Sequence, residues 1–182
     1  VSVILAGVLL KMGGYGMIRL SVSLFPGVAR EWAWLLVILA IVNVLYGAAV
    51  TLRQTDMKKL IAYSSVSHMG YVLLGIFALN QVSLTGATLQ KVSHGEVTGL
   101  LFAMVGVVYD HSHNRNLAQM GGLARQMPVA AVVFSLAGLA SLGLPGTSGF
   151  AAEFLVFLGS FTSQAFAGMQ LYTILGILGI VV

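Results

Sequence analysis

The sequence predicts an all-α fold, a polytopic transmembrane helix bundle of about six helices with one of them broken, and three observations carry that prediction. Of the 182 residues 58% are hydrophobic and 8% are charged, and the mean hydropathy is +0.97, whereas a soluble chain carries about 25% charged residues. Apolar runs close to the ~20 residues that cross a bilayer follow one another with short polar breaks. The last long run contains a proline and several glycines where a plain span would be regular.

The spans fall at about 1–20, 32–52, 57–79, 82–109, 128–162 and 165–182, with the fifth broken near 145–149. The first, VSVILAGVLLKMGGYGMIRL, is apolar apart from Lys11 and closes at Arg19. Phe25-Pro26-Gly27 reads as a turn before the second, which opens on Trp32 and Trp34. Gln54-Thr55-Asp56 and Asn80-Gln81 separate the second, third and fourth, and a polar stretch from Asp110 to Met127 precedes Pro128 and the fifth. No break is long enough for a linker, so 1–182 reads as a single membrane domain. Its apolar ends read as those of a fragment of a longer membrane protein, and no signal-peptide pattern precedes it.

Composition also excludes functions. There is no cysteine, hence no disulfide, thiol nucleophile, or cysteine ligand for zinc or iron–sulfur clusters. No nucleotide loop or quinone motif is visible. The chain is expected to hold no cofactor and no metal, and His111 and His113 read as residues of the loop at the membrane edge. The net charge of +4 comes from basic residues at membrane edges, with no run longer than Lys58-Lys59, so nucleic acid is not an expected partner; the bilayer is.

Alternating spans put Arg53, Lys58, Lys59, Arg115 and Arg125 on one side and Arg19 and Arg30 on the other. Short basic loops stay in the cytoplasm, so the first helix runs outward and Trp32 and Trp34 lie at the outer interface.

The informative residues are the ionisable ones inside the apolar runs: Lys11, His68, Lys91, His94, Glu96 and Glu153. A charge at mid-bilayer costs at least about 2.5–3.5 kcal/mol on the insertion scale. At ~1.5 Å rise per residue, His68 lies about 14 Å past Lys59, near the middle of a hydrocarbon core about 30 Å thick, and Lys11 and His94 reach a similar depth. Lys11, His68, His94 and Glu153 thus form a layer in the membrane plane, each on a different helix. Groups at one depth relay charge sideways, whereas a straight channel needs polar groups strung along the normal. All four titrate, which suits protons. Ser64, Ser67, His68 and Tyr71 share one helical face, as do Lys91, His94, Gly95 and Thr98. Glu96, about 200° around from His94, faces elsewhere. Against this stand plain readings, a histidine bonded across helices or a lysine snorkelling to the headgroups. The occurrence on four helices favours the functional one.

The fifth span carries SLGLPGTSGFAAEF. Pro145 with Gly146 and Gly149 predicts a broken helix, which membranes tolerate where it lines a cavity or is buried in protein. Thr147 or Ser148 would cap the restarted half, with Glu153 a turn further in.

The stretches LAGVLLKMGGYGMIRL, QTDMKKLIAYSSVSHMGYVLLGI and LASLGLPGTSGFAAEFLVFLGSF resemble the antiporter-like subunit M (subunit 4) family of proton-pumping NADH:quinone oxidoreductase, respiratory complex I. The resemblance covers essentially the whole chain and about a third of that family's fourteen-helix fold, with the first span as its eighth helix and the broken span as its twelfth. It implies proton translocation driven by redox chemistry in other subunits, with sister antiporter-like subunits as partners, in a bacterial plasma membrane or a related energy-transducing membrane. It implies that Lys11 is the middle relay, His68 and His94 connectors along the hydrophilic axis, and Glu153 the terminal exchange site. The family's input glutamate and lysine belong to upstream helices, so this piece alone would not pump. Lys91 and Glu96 depart from the family, which has apolar residues there. They would rewire the local relay or pair with a neighbouring subunit. The same core motifs occur in subunits of cation/proton antiporters and membrane-bound hydrogenases, and a reading from another class is a purely structural membrane scaffold.

Overall fold

A computed structural model describes residues 1–163, so the sixth expected span, 165–182, lies outside the described residues. Four helices there are long and apolar enough to cross a membrane: α1 (Ser2–Val22), α2 (Pro26–Leu52), α3 (Met57–Phe77) and α4 (Gln81–Ser112). A 3-10 turn at Leu117–Gln119 and a short helix α5 (Leu123–Gln126) lead to α6 (Pro128–Ser141) and α7 (Ser148–Phe161).

Sequence punctuation explains most ends. Asp56 caps α3 by accepting from the Lys58 and Lys59 amides at 2.8 and 3.2 Å, and Asn80 caps α4 by accepting from the Val82 amide at 3.0 Å. Two ends differ from the expectation. Helix α2 starts at Pro26 rather than near residue 32, because proline at the first helical position has its φ preset and no amide to leave unpaired. Its 27 residues span about 40 Å, longer than the hydrocarbon core, so Trp32 still falls near a membrane edge. Helix α4 continues past residue 109 until His113 turns left-handed at φ 48°. His111 is therefore helical rather than in a loop, its Nδ1 2.9 Å from the Val107 carbonyl.

The break in the fifth span falls between Ser141 and Ser148, slightly earlier than 145–149. Gly143 and Gly146 turn the chain at φ +64° and +99°, a region open to glycine and strained for other residues. Gly149, expected to loosen the chain, is instead helical, and a Cβ there would lie 3.1 Å from the Ala140 carbonyl oxygen. Thr147 caps α7 by accepting from the Phe150 amide at 3.4 Å.

The helices pack through small residues. A Cβ on Gly70 of α3 would meet Val44 Cγ2 of α2 at 2.6 Å, and one on Gly86 of α4 would meet the Val156 amide nitrogen of α7 at 2.6 Å. This is how membrane helices approach closely without a hydrophobic drive between them. One buried cluster joins Val37 of α2, Phe77 of α3, Ala87 of α4 and Val156 of α7; another joins Ala6 of α1, Ile61 of α3, Phe102 of α4 and Ala137 of α6. The loop before α3 and the loop after α4 are tied together, Met57 N donating to Arg115 O at 3.0 Å and Leu117 N to Thr55 O at 2.9 Å. Arg53, Lys58, Lys59 and Arg115 thus share one side, as the charge count requires. On the opposite side Asn80 Nδ2 donates to Gly159 O at 3.2 Å and joins the end of α7 to the α3–α4 turn.

Candidate functional site: a row of titratable side chains across four helices

Helix α1 alternates α-helical and π-helical turns, with π turns at Leu5–Leu9 and Met17–Val22. Lys11 follows the first of these and is 8% exposed. Its Nζ donates to the Ala6 carbonyl and lies 2.9 Å from His94 Nδ1 on α4. The contact depends on glycine: a Cβ on Gly95 would stand 2.8 Å from the Gly7 carbonyl oxygen and push α1 away from α4.

His94 is 6% exposed, and the Thr98 hydroxyl one turn on lies 3.1 Å from Nδ1 and 3.2 Å from Nε2. Its ring faces that of His68 on α3, centroids 4.9 Å apart and tilted by 47°. His68 Nδ1 lies 3.2 Å from Glu153 Oε1 on α7, with the two side chains 18% and 19% exposed. The order is therefore Lys11, His94, His68, Glu153, crossing α1, α4, α3 and α7. Neither sequence nor depth orders them, because both histidines lie at the same level.

Each member has chemistry suited to handing on a proton. An ammonium donates only, a carboxylate accepts only, and a neutral imidazole accepts at one nitrogen while it releases at the other. Both oxygens of Glu153 are constrained. Oε1 also accepts from Gln90 Nε2 at 2.9 Å, and Oε2 lies 2.8 Å from where a Cβ on Gly143 would stand. The glycine that turns the chain at the helix break also leaves room for the carboxylate.

Ser64, Ser67, His68, Tyr71 and Glu153 line one cavity of about 1470 Å³ bounded by α2, α3, α4, α6 and α7. Its wall touches the His68–Glu153 end of the row, and Lys11 and His94 are not among its lining residues. The serine hydroxyls donate inward, Ser64 to Ile61 O at 2.9 Å and Ser67 to Val44 O at 3.0 Å, so they face the cavity as acceptors. Tyr71 packs between His68, at 6.0 Å between centroids, and the edge of Phe157, at 5.5 Å.

Lys91 and Glu96 stand apart from the row. Lys91 is buried against α1 with Nζ 5.8 Å from the Tyr15 ring centroid. Glu96 is exposed on the far side of α4. Gln90, not among the residues expected at the site, is 2% exposed and has its Oε1 without a hydrogen-bond partner among the described residues. Its signal in the sequence is a neutral amide one turn before His94 inside an apolar run, which carries no charge to mark it.

Spanning helices, a break at membrane depth and an intramembrane row of titratable side chains define a polytopic integral membrane protein of the antiporter-like class. The chain belongs to the family described as "NADH:quinone oxidoreductase/Mrp antiporter, TM", which matches residues 1–179. It is 54% identical over 160 residues to NADH-quinone oxidoreductase subunit M of Rhodobacter capsulatus, a match covering 88% of this chain and 31% of that one. Among solved structures it is similar to a chain of respiratory complex I from Thermus thermophilus with bound NADH, with a TM-score of 0.85, 32% identity, and coverage of 94% of this chain and 35% of that one. It is also similar to a chain of the Mrp complex from Dietzia sp. DQ12-45-1b, with a TM-score of 0.81, 26% identity, and coverage of 94% and 32%. The chain thus spans about a third of the length of the relatives it matches.

Proposed function

We propose that this chain is part of the proton-translocating membrane subunit of an NADH:quinone oxidoreductase, in which protons move sideways along Lys11, His94, His68 and Glu153 and exchange at the Glu153 end. The observation that carries this reading is the row itself, hydrogen-bond distances of 2.9 Å from Lys11 to His94 and 3.2 Å from His68 to Glu153 at its ends, and a ring contact of 4.9 Å between the two imidazole centroids in its middle. The cavity reaching only the His68–Glu153 end supports exchange there, and the apolar packing around Lys11 and His94 supports transfer along the row rather than along the membrane normal. Gln90 positions the Glu153 carboxylate without itself titrating. Electron transfer belongs to other subunits, and the partners of this chain are the other membrane subunits of the complex, the sister antiporter-like ones above all.

In the full-length protein within its complex, Lys11→Ala is expected to depress proton pumping and quinone reduction together. Normal pumping in an assembled complex overturns the reading. The likeness to the Mrp complex favours a cation/proton exchanger as the second reading. Proton transport sensitive to quinone-site inhibitors of NADH oxidation supports the first; cation-driven proton exchange insensitive to them supports the second.

A further inference from the structure

Gln90 uses half of its amide and leaves the other half orphaned. Its Nε2 donates to Glu153 Oε1 at 2.9 Å, while its own Oε1 is buried without a hydrogen-bond partner among the described residues. The enclosure comes from α4 and α7 themselves. One turn to either side of Gln90, a Cβ on Gly86 would lie 2.6 Å from the Val156 amide nitrogen, and Ser93 Oγ lies 2.7 Å from Ser148 Oγ. With 2% of Gln90 exposed, helices from outside this chain do not reach the amide, and Gln90 is not among the residues lining the cavity. The same packing pins the stem of the side chain. What stays free is the terminal torsion, which for glutamine is broad and close to two-fold, so half a turn exchanges oxygen and nitrogen and keeps the shape.

The orientation observed suits an ionised Glu153. A carboxylate accepts only, and the amide turns its donor to it although that strands a buried oxygen, which proteins rarely do. A protonated Glu153 has the opposite need, because its O–H requires an acceptor. Among the described residues, the titratable groups around it are His68 and Tyr71 from α3 and, behind His68, His94 from α4, and α2 and α6 bring none to the cavity that Glu153 lines. His68 Nδ1, 3.2 Å from Glu153 Oε1, accepts only while it carries no hydrogen. Gln90 Oε1 accepts whichever tautomer His68 holds. We propose that the Gln90 amide turns over when Glu153 takes up a proton, its Nε2 holding the carboxylate and its Oε1 accepting from the acid, so that both charge states of the exchange site are held in one place. Gln90 is thus a positioning residue for a carboxyl group that must change charge, a task that a donor-only lysine cannot perform. The proposal rests on the reading of Glu153 as the site of exchange, and its test does not read pumping.

Infrared difference spectra of the full-length protein in its complex, taken between alkaline and acid pH, read the two groups separately. The carboxylic C=O band of Glu153 is assigned by its loss in Glu153→Leu. The Gln90 amide band is assigned by isotope labelling of glutamine at the side-chain carbonyl and by its loss in Gln90→Met. Glu153→Asp and Gln90→Asn serve the same assignments should either variant fail to assemble, since aspartate displaces the carboxyl band and asparagine carries no label. On acidification the labelled amide band should move to lower frequency, as its orphaned oxygen gains a hydrogen bond, with the same pH midpoint as the rise of the Glu153 band. That movement should vanish in Glu153→Leu. A Glu153 band with no amide movement overturns the proposal and leaves the exchange role standing, as does an amide movement that survives Glu153→Leu. A spectrum without any Glu153 carboxyl band overturns the proposal and the exchange role together.

Discussion

Replacing Gly143 by alanine tests how tightly the Glu153 carboxylate must be held. The new Cβ would lie 2.8 Å from Glu153 Oε2 and 3.7 Å from its Cδ, and ordinary contact requires the oxygen to retreat by about 0.6 Å. The backbone at φ +64° adds about 1 kcal/mol of left-handed strain for a residue with a Cβ. The carboxylate is the flexible end of its side chain, so it yields in preference to the backbone, and the bonds to His68 and Gln90 at 3.2 and 2.9 Å stretch with it. A misplacement of 1 Å can cost about a hundredfold in rate, so a shift of half that size predicts a loss of about tenfold. Proton translocation per quinone reduced, measured in vesicles holding the full-length complex, should fall by that order while the subunit still assembles. Gly106→Ala is the matched control: its Cβ meets nothing within 4 Å and its helix gains about 0.5–1 kcal/mol, so pumping should not change. Undiminished pumping in Gly143→Ala refutes the reasoning, because it means that the carboxylate's position does not matter.

Glu153→Gln keeps the side chain's shape and removes its titration, so it should abolish coupled proton transfer with assembly retained, as judged by subunit content and pumping together. Gln90→Leu removes the donor to Glu153 Oε1 and the unpaired Oε1 of Gln90 itself; thermal stability should change little and pumping should fall. Thr147→Ala deletes the cap of α7 and should destabilise by about 1 kcal/mol, with Thr147→Ser recovering most of it in a thermal unfolding assay of the detergent-solubilised protein. Gly70→Ala drives a methyl to 2.6 Å from Val44 Cγ2 and 2.7 Å from the Ala40 carbonyl oxygen and should cost about 1–3 kcal/mol of overpacking in the same assay.

The spans and the members of the row were legible because apolar length and a charge inside an apolar run are properties of the sequence alone. Lys11, His68, His94 and Glu153 each stand out by their surroundings, whatever the packing. Their order was not legible. It depends on α4 lying between α1 and α3, which the glycines at 7, 75 and 95 permit and no local pattern announces. The start of α2 was missed because Pro26 reads equally as a turn and as a first helical residue, and the choice rests on whether the following residues bury a face. Gln90 went unseen because a neutral amide carries no charge to count. Gly143 went unseen because its role is the absence of a side chain beside a carboxylate ten positions away. The cavity-facing serines were found, but not that their hydroxyl hydrogens are spent on the carbonyls of Ile61 and Val44.

The central claim is that protons pass along the row, and the middle of the row is where it is most exposed to test. In the full-length complex reconstituted into vesicles, His94→Leu removes the link between Lys11 and His68 and leaves both ends in place. Protons translocated per NADH oxidised should then fall well below the parent value in an assembled complex with its subunits present. An unchanged ratio contradicts the account.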